Sequence, residues 1–144
     1  MKKPLFFLSV IFFLFSSCSK ENGVKTKTEL LTQKSWKFEM YGLDENNDGI
    51  IQASENNMQS CELDDHYRFY PNGTGVYEGG SQPCSVDEPA TIDFNWSFEN
   101  GETELAVFGA PEKINKIDEN YLEVFYLDQN TQGETVKYIR RFQH

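Results

Sequence analysis

The feature that most constrains the fold is the alternation of apolar and polar residues that recurs along the chain after Trp36. Trp36, Phe38 and Met40 alternate with Lys37 and Glu39, which is the two-residue period of a half-buried β-strand. The same period returns over residues 67–69, 92–98, 105–107, 122–126 and 136–142, with shorter strands around Val76 and over 114–117. Short segments rich in Gly, Asn, Asp and Pro separate them. The pattern predicts about eight strands joined by tight turns.

A run of this many consecutive strands favours closure, because an open sheet would leave two hydrogen-bonding edges exposed. We therefore predict an all-β, antiparallel, up-and-down eight-stranded barrel over residues 30–144. The candidate helix, within residues 53–60, would cap one end. The expected inward residues are Trp36, Phe38, Tyr67, Phe69, Phe94, Trp96, Phe98, Tyr126, Tyr138 and Phe142. So many rings favour a filled interior, although an eight-stranded barrel also has room for one small ligand.

The N-terminal segment is typical of a secretory signal. Lys2 and Lys3 form a basic start, and residues 5–15 are apolar except for Ser9. The run is about 11 residues, whereas a membrane-spanning helix needs about 20, so a retained transmembrane anchor is the weaker interpretation. We expect residues 1–17 to be removed as a signal peptide.

A small residue at Ser17 directly before Cys18 resembles the lipobox of bacterial lipoproteins, although Phe15 stands where that family more often has Leu. The resemblance implies a diacylglycerol on the Cys18 thiol and a fatty acid such as palmitate on the new amino terminus. Several acyl chains anchor a protein durably. Residues 18–29 are polar and read as a flexible lipidated tether. The expected location is the cell envelope, with the outer membrane compatible with Ser19.

The remaining two cysteines, Cys61 and Cys84, are expected to form a disulfide in an oxidising compartment, and two free buried thiols are the alternative. The formal net charge is −10, and losing Lys2 and Lys3 makes it two units more negative. An acidic chain without a basic cluster is repelled by nucleic acid and by anionic lipid headgroups. We therefore expect neither as a partner, and we expect a monomer.

The chain resembles the lipocalin-like domain found in many small exported lipoproteins of Gram-negative bacteria. The matching features are residues 30–31 with 34–36, Cys61 with 64–69, the turn at 72–75 that leads to Cys84, and Trp96. In that family a Trp on the first strand is covered by an Arg from the last. The resemblance therefore implies a cation–π contact that closes the barrel between Trp36 and Arg140. Lys34 departs from the family's Gly, and an exposed Arg140 is the alternative.

Residues 44–55 satisfy every position of the EF-hand calcium-loop pattern D-x-[DN]-x-[DN]-G-x5-E. Gly49 permits the sharp turn, and Ile51 is expected to point inward as an apolar anchor. The alternative is an acidic loop with ordinary turn chemistry, since such a loop normally lies between two helices. The predicted calcium ligands are Asp44, Asn46, Asp48, the Ile50 carbonyl, Gln52 and Glu55.

Signals of catalysis are sparse. His66, next to Asp64 and Asp65, and His144 are the two histidines, too few for a zinc site or a catalytic triad. The sequence predicts a non-enzymatic binding module of the cell envelope. Two versions stay open, a carrier of a small apolar molecule and a barrel with a filled core that contacts or inhibits another envelope protein. An enzyme would need a cleft that joins His66 to carboxylates.

Overall fold

The structure, a computed structural model, describes residues 23–144. The expected signal peptide, Cys18 and the first part of the expected tether lie outside this range. Eight strands form one closed antiparallel barrel in sequence order, and β8 pairs with β1. This confirms the predicted fold class. The strands are β1 (Trp36–Leu43), β2 (His66–Phe69), β3 (Thr74–Glu78), β4 (Thr91–Glu99), β5 (Glu104–Val107), β6 (Ala110–Ile117), β7 (Tyr121–Gln129) and β8 (Thr135–Gln143).

A β-bulge in β1 sets which side chains face the interior. Phe38 lies opposite Phe142 on β8, and the register shifts between Phe38 and Met40. The extra residue at the bulge reverses which side chains of β1 face inward and which face outward. Tyr41, and not Met40, therefore faces the interior together with Phe38. Tyr41 consequently lies opposite Arg140.

A short helix, α1 (Lys27–Thr32), crosses one end of the barrel and contacts β2 and β6. Thr26 begins it with a capping box, in which Thr26 and Glu29 each bond to the other's backbone N–H. Leu31 is fully buried, and its carbonyl accepts a hydrogen bond from Trp36 Nε1 at 2.9 Å. The expectation that the tether extends to residue 29 is therefore wrong for its last residues, because the folded domain begins with this cap.

The predicted short helical turn within residues 53–60 is present as a 3-10 helix (Ala53–Glu55), and a second 3-10 helix (Ser60–Glu62) begins at Ser60. The Ala53–Glu55 segment packs on β1 rather than across a barrel end. Within residues 23–144, no helix has the length and apolar character required to cross a bilayer.

The barrel has two unlike halves. The closed half, beneath α1, contains Leu31, Trp36, Trp96, Phe98 and Ile117, which belong to or pack against one continuous core. The open half, at the opposite strand ends, contains Tyr41, Tyr67, Phe108, Glu112 and Arg140 around an internal cavity. These two names are used below for these two regions.

Candidate functional site

The open half contains a cavity of about 390 Å³. The expectation of a filled interior therefore holds only for the closed half. Most lining side chains are apolar, and polar groups come from Tyr41, Glu62, Tyr67, Glu112 and Arg140. The lining residues are Phe38, Tyr41, Glu62, Tyr67, Phe69, Leu105, Val107, Phe108, Ala110, Glu112, Leu122, Val124, Arg140 and Phe142.

An ion pair lies in the cavity wall. Arg140 Nη1 is 3.2 Å from Glu112 Oε1, and the two side chains are 41% and 15% exposed respectively. Burial raises the pKa of Glu112, and the Arg140 guanidinium opposes that rise by favouring the charged carboxylate. The pair thus places one positive and one negative group in the wall, and the lining also includes Glu62, whose carboxylate accepts from the Gln59 amide at 2.7 Å.

Three tyrosines form a wall that positions the guanidinium. Arg140 Cζ is 5.5 Å from the ring centroid of Tyr41 and 5.6 Å from that of Tyr126. The two hydroxyl groups are 2.8 Å apart, and Tyr138 stacks on both rings. Burial is the main cause that raises the pKa of Tyr126, so its hydroxyl stays protonated at neutral pH. These contacts hold Arg140 in place in the wall of the cavity.

Arg140 faces the interior, in phase with Tyr138 and Phe142 as predicted, but it does not cover Trp36. The Trp36 ring instead stacks on His144, with 3.7 Å between centroids. Arg140 pairs with Tyr41, which is five residues further along β1 than Trp36. The predicted barrel-closing contact between Trp36 and Arg140 is therefore wrong. The alternation along β8 correctly predicted that Arg140 faces the interior, but it did not predict how far along the barrel axis Arg140 lies from Trp36.

The predicted disulfide between Cys61 and Cys84 is present, with Cα atoms 5.3 Å apart. It joins the segment before β2 to the loop between β3 and β4, and both lie at the open half. Cys61 adjoins Glu62, which lines the cavity. The disulfide therefore braces one side of the mouth.

A buried hydrogen-bond cluster supports the same rim. Tyr77 Oη lies 2.9 Å from Asp65 Oδ2 and 3.1 Å from Glu88 Oε1, and Asp65 also accepts from the Gly80 amide. Burial, followed by the bond to Asp65, raises the pKa of Tyr77. The single hydroxyl proton lies between the carboxylates of Asp65 and Glu88, and this shared contact holds the loop of Glu88 against the barrel.

The predicted calcium loop, residues 44–55, folds over the outer face of the barrel. Gly42 allows this close approach, because a Cβ there would lie 1.8 Å from the Glu55 carbonyl oxygen. Ile51 is 2% exposed and lies against Gly42, so the predicted apolar anchor is buried, although outside the barrel. Gly49 has φ 81°, the left-handed conformation expected at the sharp turn.

Within this loop the carboxylates accept backbone hydrogen bonds. Asp44 accepts from the amides of Asp48 and Gly49, each at 3.0 Å, and Lys137 Nζ lies 3.6 Å from Asp44 Oδ2. Glu55 accepts from the amides of Glu45 at 3.0 Å and Gln52 at 2.8 Å. In the described part of the chain, no three His, Cys, Asp or Glu side chains converge on one point where an ion would fit.

The donor types nevertheless suit calcium, which prefers carboxylate, amide and carbonyl oxygens. Asn46 and Gln52 both direct amide N–H groups at Asp48 Oδ2, at 3.0 and 3.1 Å. Their side chains would have to rotate before their oxygens could reach an ion. The loop is compatible with calcium after this local rearrangement. As it stands, the loop is ordered by its internal hydrogen bonds and by the ion pair between Asp44 and Lys137.

His66 does not form a dyad with a carboxylate. Its Nδ1 lies 2.8 Å from the Asp64 backbone oxygen, and the Asp64 carboxylate accepts from the Ser81 amide at 2.7 Å. The cavity lining does not include His66.

Sequence reasoning missed Tyr41, Phe108 and Glu112. Glu112 had a usable signal, because it alternates in phase with Ala110 and Ile114 on β6. Tyr41 had none, since the bulge that turns it inward leaves no mark in the pattern.

Fold and site together define a class of protein: a closed eight-stranded antiparallel barrel with an internal cavity that contains a charge-neutral ion pair. No protein-family model matches the chain, and no curated protein matches it.

Proposed function

We propose that this protein is a non-enzymatic binding module that holds one small, largely apolar molecule inside the open half of the barrel. The observation that carries the proposal is the cavity of about 390 Å³, which lies toward the small end of the usual range of ligand pockets. Most of its wall is apolar, and its few polar groups converge from different strands. That combination is typical of pockets in which apolar burial supplies affinity and polar groups supply orientation.

The ion pair between Arg140 and Glu112 favours a neutral ligand with at least one polar group. Arg140 offers N–H donors and Glu112 offers an acceptor, so an alcohol, amide or amine N–H would find a partner. A ligand carboxylate would meet Glu112 and Glu62, and an ammonium group would meet Arg140, in surroundings where repulsion is poorly screened. A neutral polar group avoids both costs.

Fluorescence titration of the purified chain with N-phenyl-1-naphthylamine, a neutral dye with one N–H group, tests this proposal. We expect saturable binding with one site per chain. Val107→Phe, which extends a cavity-lining side chain into the space, should weaken binding by about tenfold or more, a loss of roughly 1.4 kcal/mol. Val76→Phe is the matched control, because Val76 alternates with the inward Gly75 and Tyr77 and does not line the cavity.

Equal affinities in both variants, or no saturable binding by the wild-type chain, would contradict the proposal. The latter result would favour the alternative, a barrel that contacts another envelope macromolecule through its outer surface and loops.

The proposal includes anchoring of the barrel in the cell envelope through lipid on Cys18, as the lipobox resemblance implies. The short helix α1 begins at Lys27, which leaves residues 18–26 between the anchor and the barrel. Labelling cells with radioactive palmitate tests the anchor. We expect incorporation into the wild-type chain and none into Cys18→Ser, whereas equal labelling of both would contradict it.

We also propose that calcium orders the loop of residues 44–55. The supporting observations are the oxygen-rich donor set, the turn at Gly49 and the buried anchor Ile51. Bound calcium would cross-link Asp44, Asn46, Asp48, the Ile50 carbonyl, Gln52 and Glu55.

Thermal unfolding of the chelator-treated chain, with and without calcium chloride, tests the calcium proposal. Calcium at ten times its Kd should stabilise the fold by about 1.4 kcal/mol. Glu55→Gln should abolish this effect, and Glu45→Gln, an exposed loop residue outside the ligand set, should retain it. An unchanged Tm at millimolar calcium would rule the site out.

A further inference from the structure

One residue at the mouth of the cavity combines two unfavourable features. Phe108 has φ 54°, in the left-handed region that bulky side chains rarely adopt. The residue is also 56% exposed, although its side chain is large and apolar. A strained backbone and an exposed apolar ring each cost free energy, and strained positions of this kind are often found at functional sites.

The turn chemistry makes the choice of residue unusual. Phe108 and Gly109 are the whole connection between β5 and β6, and both have positive φ, 54° and 78°. Two-residue hairpin turns with positive φ at both positions favour Asn-Gly or Asp-Gly. Gly109 meets this preference, whereas Phe at the first position opposes it.

The position of the ring accounts for the exception. Phe108 lines the cavity, and its ring centroid is 5.1 Å from that of Phe94 in the barrel wall. The Phe108 amide donates to the Asn95 carbonyl at 3.2 Å, which ties the turn to β4. A short, tied turn fixes the backbone, so the ring is held at the mouth and can move only about its own side-chain torsions.

Other non-glycine residues with positive φ in the described range differ from Phe108. Asn47 and Asn100 are of the type that tolerates this conformation. Glu102, with φ 63°, lies in the β4–β5 turn at the closed half and is exposed. Phe108 is thus the one aromatic residue among the four, and it lies at the cavity.

We propose that Phe108 is a ligand-contacting gate, a ring held over the mouth by a strained turn so that it covers the bound molecule and slows its release. This inference rests on the proposed binding function. It adds that the ligand presents an apolar face to the mouth, while its polar group is directed inward to Arg140 and Glu112. The ring would exclude water from that buried polar contact.

The test is a pair of substitutions that relieve the same strain at opposite ends of the barrel. Phe108→Asn and Glu102→Asn each place Asn at a positive φ, so both should raise Tm by about 2–4 °C. Glu102→Asn preserves the backbone oxygen that accepts from Lys27. Of the two, Phe108→Asn alone should weaken binding of N-phenyl-1-naphthylamine, by about tenfold, chiefly through faster release in stopped-flow measurements.

Phe108→Tyr supplies a conservative variant, because it keeps a ring at the mouth. It should bind the dye within about twofold of the wild-type chain. Unchanged affinity and release in Phe108→Asn, with normal binding by the wild-type chain, would overturn the gate while leaving the proposed function intact. A lower Tm in Phe108→Asn would show that the ring stabilises the fold and would also overturn it. Absence of dye binding by the wild-type chain would instead remove the proposed function and the gate together.

Discussion

The closed and open halves of this barrel are built from the same strands but in opposite ways. In the closed half, Trp36 and Leu31 are fully buried, and the Trp36 indole N–H is bonded to the Leu31 carbonyl. In the open half, Glu112 and Arg140 lie in the wall of a cavity, and Phe108 occupies a strained turn. The comparison indicates that packing in the closed half stabilises the fold. The open half can therefore contain charged groups, a strained turn and a cavity.

The largest predicted loss of stability follows a substitution in the closed half. Trp36→Ala removes a fully buried indole beneath α1 and should cost about 3–5 kcal/mol of the free energy of unfolding. Denaturant unfolding followed by circular dichroism measures this cost. Dye affinity of the molecules that remain folded should change less than about twofold, since Trp36 does not line the cavity. A loss below about 1 kcal/mol would show that the closed half is not the stable core.

The next largest predicted loss of stability follows removal of the disulfide at the open half. Replacing both cysteines, Cys61→Ser with Cys84→Ser, releases two residues separated by 23 positions in the sequence. The loop-entropy relation predicts a loss of about 3 kcal/mol. Reduced wild-type chain is the control and should show the same loss. A double variant as stable as the oxidised wild-type chain would mean that the rim is braced by the Tyr77 cluster alone.

The ion pair in the cavity should show a smaller and non-additive effect. Arg140→Met strips Glu112 of its partner, and the expected cost is about 1–2 kcal/mol, reduced from the value for a fully buried pair because Arg140 is partly solvated. The double variant Arg140→Met with Glu112→Leu should recover most of this loss, since it leaves no unpaired charge. Denaturant unfolding of the two single variants and the double variant measures the coupling. Additive losses would indicate that the two groups act independently.

The smallest predicted effects concern the pH dependence of the free energy of unfolding. They have opposite signs for one carboxylate in the open half and one in the closed half. Burial raises the pKa of Glu112, so its contribution to stability is fully present below its unfolded value near 4.5 and decreases as pH rises through the folded pKa. Asp118, in the β6–β7 turn at the closed half, has a pKa lowered to about 2 by the bond from Lys116 and then by the Asn120 amide. Its contribution is present above its unfolded value of 3.8 and is lost as pH falls toward 2.

Two neutral variants separate these contributions in unfolding measurements between pH 2 and 8. Asp118→Asn should lose less stability on acidification than the wild-type chain. Glu112→Gln should lose less stability as pH rises from about 4 toward neutrality. Indistinguishable pH profiles for Glu112→Gln and the wild-type chain would indicate that Glu112 is solvated.

The fold was predictable because alternating residues record which side of a strand is buried. Trp36, Phe94 and Phe142 all face the interior as their phase indicates. The start of the domain was readable too, since Thr26 and Glu29 form the capping-box pattern, although the polar composition around them suggested a tether.

The candidate site was less predictable. It depends on how far along the barrel axis each side chain lies, and not only on whether that side chain faces the interior. Arg140 has the phase of an inward residue, but strand register places it beside Tyr41 and Glu112 instead of Trp36. Register depends on the bulge near Glu39 and on how far each hairpin extends, and neither is encoded by a two-residue period. The cavity is similarly hidden, since the number of rings does not reveal that several of them line a space rather than fill it.

The most direct test of the account is to map the bound dye by NMR. Amide and side-chain shifts of the isotope-labelled chain would be recorded during titration with N-phenyl-1-naphthylamine. The account predicts changes concentrated at Phe108, Glu112 and Arg140, with Leu31 and Trp36 unaffected. Changes centred on the closed half or on the outer face, or the absence of any saturable change, would contradict it.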